Sequence, residues 1–442
     1  MNVGMFPLSG IRVCDAELLA LGLTLPGFVE RSKTIASLPS LGLLTLAGMT
    51  PARHTVHYVE VPDESLLASL PEGLDLAAIS SYSAQIDEAY ALARRFKAAG
   101  VPTVIGGPHV TALPEEAARH CDAVVIGEGE PSWLHVLEDA EHGRLQKYYR
   151  ADADGFDLAD APMPAFELLD ISKYNRLTVQ TSRGCPLHCE FCASSVMLTD
   201  RYKQKPVAKV LEEIHRILSI WDRPFIEFAD DNSFVNHPYW RELLAPLKGK
   251  GLKWFAETDL SVAADGALLD LMRETGCAQV LIGLESPVKT GLRGIELHND
   301  WKFRQFPKYK DAIRTIQGHG ITVNGCFVLG LDGHTPAIFD QVFDFVKEAE
   351  LYEVQITLMT AFPGTPLYTR LEKEGRLLEP RNWKKCTLFD INFKPSAMSA
   401  GELRDGFKTL GVKLYSDEFT HWRRDRFKQA LRTAHHRKGA NA

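Results

Sequence analysis

The stretch Thr181–Ser195, TSRGCPLHCEFCASS, follows a short apolar run that is typical of a strand, and it spaces three cysteines as C-x3-C-x2-C. These cysteines are Cys185, Cys189 and Cys192. Three thiolates on one tight loop can bind three corners of an iron–sulfur cube and leave the fourth iron without a protein ligand. The spacing therefore predicts a 4Fe-4S cluster with one iron open to another ligand.

A structural zinc site is an alternative for the same loop, because His188 lies within it and could supply a fourth ligand. Zinc sites usually join two separated pairs of ligands, and the sequence offers no second pair. A purely structural cluster is the other alternative. The remaining cysteines are solitary and mostly lie in apolar runs, which is typical of buried free thiols. They are Cys14, Cys121, Cys277, Cys326 and Cys386.

The composition indicates a globular protein with more than one domain. The chain has 442 residues, of which 45% are hydrophobic and 24% are charged. A net charge of -7 argues against a general nucleic-acid-binding protein. The first residues contain neither a basic segment nor an apolar stretch of spanning length, so we expect neither export nor a membrane span. Thiolates that bind iron indicate a reducing compartment, and we expect a cytoplasmic protein.

Apolar strand-like runs alternate with amphipathic helices from His54 to about Glu130. This pattern predicts a parallel sheet covered on both faces, in a doubly wound, Rossmann-like domain over residues 1–150. Such sheets bind ligands at the carboxyl ends of their strands. Polar and glycine-rich strand ends predict a surface for a flat or phosphate-bearing cofactor, with ordinary tight turns as the alternative. These residues are Ser80, Ser81, Tyr82, Gly106, Gly107, His109, Gly127, Glu128 and Gly129.

Residues 151–175 are rich in turn formers and predict a linker. Six further strand and helix units follow, and they predict a partial (β/α)6 TIM barrel over residues 176–373, with a small α-rich extension over 374–442. The predicted strands are LTVQTS, FIEFADD, WFAETD, AQVLIGLES, TVNGCFVLG and EVQITLMT. Chemistry in such barrels gathers at the carboxyl ends of the strands.

Acidic residues follow several of these barrel strands, namely Asp230, Asp231, Glu257 and Glu285. Gathering carboxylates at one edge is costly unless a cationic or donor-rich group lies between them. Solvated loop ends are the alternative reading of each. Together with the cysteine loop on the same edge, they favour an aminated ligand, and Phe191 could stack on a flat base.

The segment Cys185-Pro-Leu-His-Cys189-Glu-Phe191-Cys192 resembles the signature of the radical S-adenosylmethionine (SAM) superfamily. The resemblance implies that the open iron binds the amino and carboxylate groups of SAM. It also implies that an electron, from a donor such as flavodoxin or ferredoxin, cleaves SAM to a 5'-deoxyadenosyl radical. Asp230 and Asp231 stand where the family usually has glycine-glycine-glutamate, and Glu285 lies in a segment similar to one that contacts SAM.

The preceding domain resembles the cobalamin-binding domain of the cobalamin-dependent radical SAM subgroup, on the segments 104–110 and 124–130. The D-x-H-x-x-G signature that supplies a histidine to cobalt is absent, which leaves His109 as a candidate lower ligand. The resemblance implies a C-methyltransferase that acts on an unactivated carbon of a small-molecule or lipid-like substrate. Cyclisation or ring rearrangement without methyl transfer is an alternative, as is a cluster-bearing binding or regulatory protein. A methylthiotransferase would need a second cluster, and the first 184 residues offer only Cys14 and Cys121.

Overall fold

The computed structural model describes residues 1–10, 13–20, 38–151, 155–194, 199 and 201–440. Residues 152–154 of the predicted linker and Ser195 of the cysteine stretch lie outside the described residues. Two six-stranded parallel sheets organise the described chain, and helices follow the second sheet. Among the described helices, none combines the length and the apolar character needed to cross a membrane.

The first sheet has the strand order β2-β1-β3-β4-β5-β6, and every neighbouring pair is parallel. Its strands are β1 Asn2–Pro7, β2 Thr55–Tyr58, β3 Leu76–Ser80, β4 Thr103–Gly106, β5 Ala123–Ile126 and β6 Tyr148–Arg150. The sequence did not predict β1 or β6, because β1 contains Gly and Pro and β6 has only three residues. Yet β1 lies between β2 and β3, and the side chains of Val3, Met5 and Phe6 are fully buried.

Helices cover both faces of this sheet. Phe6 and Ile105 pack on one face with Phe96 of the helix Ile86–Ala98. Met5 and Val125 pack on the other face, in one cluster with Trp133. The doubly wound arrangement predicted from the alternation is confirmed. The helices of this part are Ala16–Ala20, Leu41–Met49, Ile86–Ala98, Pro108–Ala112, Pro114–Ala117 and Glu130–Glu141.

The second sheet is the predicted partial barrel, with the order β14-β13-β12-β11-β10-β7 and parallel pairing throughout. Its strands are β7 Leu177–Val179, β10 Phe225–Ser233, β11 Lys253–Thr258, β12 Cys277–Glu285, β13 Thr322–Leu329 and β14 Glu353–Leu358. β7 and β14 form its two edges, so the barrel is open. Its covering helices are Val207–Ile220, His237–Leu244, Gly266–Glu274, Tyr309–Gly318 and Ile338–Glu348.

Two smaller features complete the fold. A two-stranded antiparallel sheet, β8 Ser182–Arg183 with β9 Lys203–Gln204, stands between β7 and the first barrel helix. The last part is rich in helix, as predicted, and its helix from Ala400 begins with a capping box made by Ser399 and Glu402. The remaining helices are Lys289–Leu292, Trp301–Gln305, Pro366–Lys373, Ala400–Leu414 and Asp417–Ala440.

Candidate active site

The loop with the three cysteines is closed at its base by the pair β8 and β9. Arg183 lies opposite Lys203 in this pair, so residues 184–202 form the loop. Cys189 is buried, and Cys185 and Cys192 are half-buried. A loop that starts and ends at one hydrogen-bonded base has fewer conformations to lose when it orders around a ligand.

Burial raises the pKa of the Cys189 thiol to about 12, and the other two cysteines add to this rise. Burial also raises the pKa of Cys185 to about 11, with Cys192 contributing. The three sulfur atoms therefore lie within electrostatic range of one another. Within the described residues, no group of three or more His, Cys, Asp or Glu side chains is arranged to hold a single metal ion. A cube does not require such a group, because each thiolate binds its own iron, and bound iron favours the thiolate form. The donor set thus fits a cluster.

Asp230, which the sequence placed among the SAM ligands, supports the entrance to this loop. Its buried carboxylate accepts hydrogen bonds from the Thr181 backbone N–H at 2.7 Å and hydroxyl at 2.6 Å. It also accepts from the Ser182 N–H at 2.9 Å and the Ser233 hydroxyl at 3.2 Å. Four donors from the chain thus engage both oxygens, and the SAM contact of Asp230 stays a prediction.

Asp231 joins the two ends of the cysteine segment. Its carboxylate accepts from the Gly184 N–H at 2.9 Å, one residue before Cys185, and from the hydroxyl of Ser194. Each oxygen accepts one hydrogen bond from the loop and keeps further acceptor capacity, so the SAM contact predicted for Asp231 stays a prediction. The end of β10 thus shapes the cysteine loop.

A strap, defined here as residues 287–308, lies against the outside of the cysteine loop. The Glu190 N–H donates to the Ile295 carbonyl at 2.8 Å, and the Leu297 N–H donates to the His188 carbonyl at 2.8 Å. Between these two bonds, Cys189 and Glu296 form an antiparallel bridge. The strap therefore fixes the backbone on both sides of the central cysteine.

One basic side chain of the strap, that of Lys302, is buried. It forms an ion pair with Glu285, which adopts a left-handed φ of 61° at the end of β12. A Cβ on Gly283 would lie 2.5 Å from the Glu285 carboxylate and 3.0 Å from the Lys302 ammonium, so the pair occupies space that only glycine leaves free. The charge of Lys302 lowers the pKa of Cys189, which places the ammonium beside the cysteine loop. No pattern in the sequence pointed to Lys302.

Glu257 points into the space enclosed by the barrel. Desolvation raises its pKa to about 8, and the carboxylates of Glu227, Asp231 and Glu285 add to this rise. The side chain nevertheless has accessible surface. The two observations agree if this surface faces an enclosed interior space rather than bulk solvent. In the described part of the chain, Glu257 has neither an ion pair nor a hydrogen bond, so its carboxyl group remains available to a ligand.

Tyr82 follows β3 of the first domain, and it is 57% exposed. Desolvation raises the pKa of its hydroxyl, with a further contribution from Glu227 on β10. The end of β3 in the first domain therefore lies within electrostatic range of the barrel strand β10.

His109 is fully buried, in contrast to Tyr82. Its side chain is 0% exposed, with one ring nitrogen 3.1 Å from the Ser83 hydroxyl and the other 3.2 Å from the Glu116 carboxylate. The ring edge also packs on Trp383 at 5.2 Å. Because both ring nitrogens are engaged and buried, this structure does not offer the His109 side chain as a cobalt ligand, and a contact of the residue with cobalamin stays a prediction.

Glu128 is likewise engaged, and its partners come from the base of the cysteine loop. Its carboxylate lies 2.6 Å from Arg183 and 2.8 Å from Lys203, and it accepts from the Phe156 N–H at 2.6 Å. Arg183 also pairs with Glu130 at 2.9 Å. In this structure the Glu128 side chain joins the two domains, and its contact with cobalamin stays a prediction. No local pattern pointed to Arg183 or Lys203.

The other predicted cobalamin positions lie at the carboxyl ends of three adjacent strands. The backbone at Gly107 has a φ of 117°, and a Cβ there would lie 2.9 Å from the Ser81 carbonyl, so this turn needs glycine. The side chain of Phe191 is half-buried and packs against the barrel core. Contacts of these residues with cofactors stay predictions. The strand-end residues are Ser80, Ser81, Gly106, Gly107, Gly127 and Gly129.

Comparison with protein families agrees with this two-part arrangement. Residues 33–136 match the B12 binding domain, and residues 179–346 match the radical SAM superfamily. Together the two matches cover more than half of the chain. The chain belongs to the cobalamin-dependent radical SAM enzymes. Its domains are accordingly those for cobalamin and for a 4Fe-4S cluster with SAM, and residues 365–442 match a domain of unknown function, DUF4070.

Curated relatives are similar over most of the chain. The hopanoid C-2 methylase of Rhodopseudomonas palustris is 29% identical over 78% of this chain and 67% of its own length. The bacteriochlorophyllide d C-12(1)-methyltransferase of Chlorobaculum tepidum is 26% identical over 80% and 78%. The anaerobic magnesium-protoporphyrin IX monomethyl ester cyclase of Rubrivivax gelatinosus is 25% identical over 69% and 59%.

A solved structure shares the fold of the whole chain. The radical SAM methyltransferase TsrM from Kitasatospora setae, with cobalamin and a [4Fe-4S] cluster bound, superimposes with a TM-score of 0.69. The superposition covers 98% of this chain and 99% of that chain at 15% sequence identity. At this identity the likeness concerns the fold alone.

Proposed function

We propose that this enzyme is a C-methyltransferase that methylates an unactivated carbon of a small, lipid-like molecule. The observation that carries the proposal is the succession of two matched domains, one for B12 over residues 33–136 and one for radical SAM chemistry over residues 179–346. Tyr82 of the first domain lies within electrostatic range of Glu227 of the barrel, so a substrate held between the two domains would be within reach of both cofactors. The relatives named as methylases support the reaction, and the hopanoid enzyme supports the lipid-like class.

We assign the cluster to Cys185, Cys189 and Cys192. SAM is assigned to the interior space beside Glu257, with Glu285 and Phe191 as further contacts. The unpaired carboxyl group of Glu257 suits the cationic methionyl end of SAM, because a nearby positive charge favours the ionised form of a buried acid. When bound, the cofactors would supply the radical and the methyl group.

The chain itself would position the reactants and exclude water. Asp230 and Asp231 hold the cysteine loop, while Glu128, through Arg183 and Lys203, keeps this loop against the first domain. Proper positioning of reactants accounts for a large share of the rate in such reactions. The electron would come from a protein donor of the flavodoxin or ferredoxin class, in the cytoplasm.

The test uses the reconstituted, reduced protein with hydroxocobalamin, SAM deuterated in its methyl group, and candidate lipids or tetrapyrroles. We expect 5'-deoxyadenosine, S-adenosylhomocysteine and a product that carries the deuterated methyl group, all measured by mass spectrometry. Formation of 5'-deoxyadenosine without S-adenosylhomocysteine and without a methylated product would contradict methyl transfer.

Cyclisation without methyl transfer is the second candidate, and the relative named as a cyclase is the observation that favours it. It uses the same two domains, so only the product separates the two reactions. A cyclised or rearranged product with unlabelled carbon would support it. A protein with an intact cluster that never cleaves SAM would instead support a binding or regulatory role.

A further inference from the structure

The strap carries an unusual local charge for this chain. Residues 287–308 contain five Lys and Arg side chains and two carboxylates, whereas the whole chain has a net charge of -7. Both carboxylates are engaged by the strap itself. Glu296 is buried and accepts from the Trp301 N–H, and Asp300 accepts from the Gly294 N–H.

Lys302 is the basic residue that points inward, and the other four face solvent. Lys289, Arg293, Arg304 and Lys308 are all exposed. Within the residues that the structure describes, none of the four forms an ion pair. Surface cations elsewhere in the chain commonly have partners, such as Lys310 with Glu348 and Arg314 with Asp311.

Two of these cations are held close together at one ring. The ammonium of Lys289 lies 4.7 Å from the centre of the Phe303 ring, and the guanidinium of Arg293 lies 5.9 Å from it. Arg304 lies in the same short helix as Phe303, and Leu297 is 47% exposed on the same strap. Exposed cations together with an exposed apolar side chain form a surface that suits an acidic protein partner.

The strap that carries these cations is bound directly to the cysteine loop. The two backbone hydrogen bonds at Glu190 and Leu297 flank Cys189, and the Cys189 to Glu296 bridge lies between them. A partner bound to the strap would therefore contact a segment that is hydrogen-bonded to the backbone beside the central cysteine.

We propose that the outer face of the strap docks an acidic, one-electron donor protein. This inference rests on the proposed function, which requires reduction of a cluster on the cysteine loop. One electron passes from the reduced donor to the oxidised cluster, the donor is oxidised by one electron, and no proton or group moves with it. Opposite charge on the two surfaces speeds their encounter and makes the rate sensitive to salt.

The test compares two reductants on the reconstituted full-length protein. The probe is flavodoxin hydroquinone, and dithionite is the reductant that needs no docking surface. The variant K289E/R293E/R304E reverses three exposed charges, and K97E/K250E/K253E makes the same charge change at exposed lysines elsewhere. Cluster reduction is followed by stopped-flow absorbance and electron paramagnetic resonance, which do not depend on methyl transfer.

We expect the strap variant to be reduced by flavodoxin about tenfold more slowly at low ionic strength, and to lose the salt dependence of the wild type. Reduction by dithionite and the control variant should keep wild-type rates. Equal rates with flavodoxin would overturn the proposal, as would an equal loss with both reductants, which would indicate damage to the cluster.

The test also separates other occupants and the parent proposal. Binding to anionic lipid vesicles that the strap variant loses, with unchanged flavodoxin rates, would assign the surface to a membrane and overturn the donor proposal. Normal reduction without SAM cleavage would contradict the proposed function and leave the docking result standing.

Discussion

At the carboxyl end of the first sheet, His109 and Glu128 are buried and paired. At the same end of the barrel, Glu257 has neither an ion pair nor a hydrogen bond within the residues that the structure describes. The same contrast occurs within each sheet. In the first domain Tyr82 is exposed, whereas His109 is fully buried. In the barrel Glu257 is exposed, whereas Asp230 is buried and accepts four hydrogen bonds. A polar residue at a strand end is thus a ligand candidate only after its protein partners have been counted.

The largest expected effect is a loss of cluster iron and of SAM cleavage when the cysteine loop is changed. Replacing Cys185, Cys189 or Cys192 with alanine should abolish cluster iron and SAM cleavage, because a cube bound by two thiolates on this loop is poorly held. Iron content and 5'-deoxyadenosine are the measurements. Cobalamin binding should persist, since its domain is separate. C14A, at an exposed cysteine, is the control, and full cleavage by any of the three variants would contradict the assignment.

The buried pair of the strap should show the next largest effect. K302M leaves the Glu285 carboxylate buried without its cation, and we expect a loss of about 3–5 kcal/mol in the free energy of unfolding. The double variant K302M/E285Q should recover much of this loss, because no uncompensated charge remains. Denaturant unfolding measures both. An exposed lysine of the strap, in K308M, is the control, and no difference from K308M would show that the pair is not buried in solution.

Glu128 allows a direct test of the contrast between the carboxyl ends of the two sheets. E128Q weakens hydrogen bonds to two cations, so we expect a loss of about 2 kcal/mol in the free energy of unfolding. Protease cleavage within residues 184–202 should increase as the loop base loosens, while the dissociation constant of hydroxocobalamin should change less than about twofold. E138Q, in an exposed pair with Arg144, is the control. A large loss of cobalamin affinity with an unchanged free energy of unfolding would instead show that Glu128 contacts cobalamin.

A pH dependence is expected from Glu257, whose pKa is raised from 4.5 to about 8. Between these values the folded protein keeps a proton that the unfolded chain has lost, so stability falls as pH rises through this window. E257Q should therefore gain thermal stability relative to the wild type from about pH 5 to 8, with no further gain above it. Melting temperatures of the protein without SAM measure this, and parallel pH curves would contradict an enclosed Glu257.

Much of the fold could be read from the sequence because its signals are local. All six barrel strands were predicted, since continuous apolar runs separated by amphipathic helices need only short-range pattern. β1 and β6 were not predicted because neither has a clear strand pattern in its own local sequence. The apolar run of β1 is interrupted by Gly4 and ends at Pro7, and only its neighbours β2 and β3 make it a central strand.

Features of the site also differ in whether local sequence or tertiary contacts determine them. The sequence by itself determined the cysteine spacing, the glycines at the strand ends and the set of acidic candidates, because each depends on residues close together in the chain. Tertiary structure decided which candidates are open. Arg183 meets Glu128 across 55 residues, and Lys302 of the strap folds back on Glu285 across 17 residues. Burial and hydrogen-bond satisfaction arise only when distant segments pack, so no local pattern could show that Asp230 is occupied and Glu257 is open.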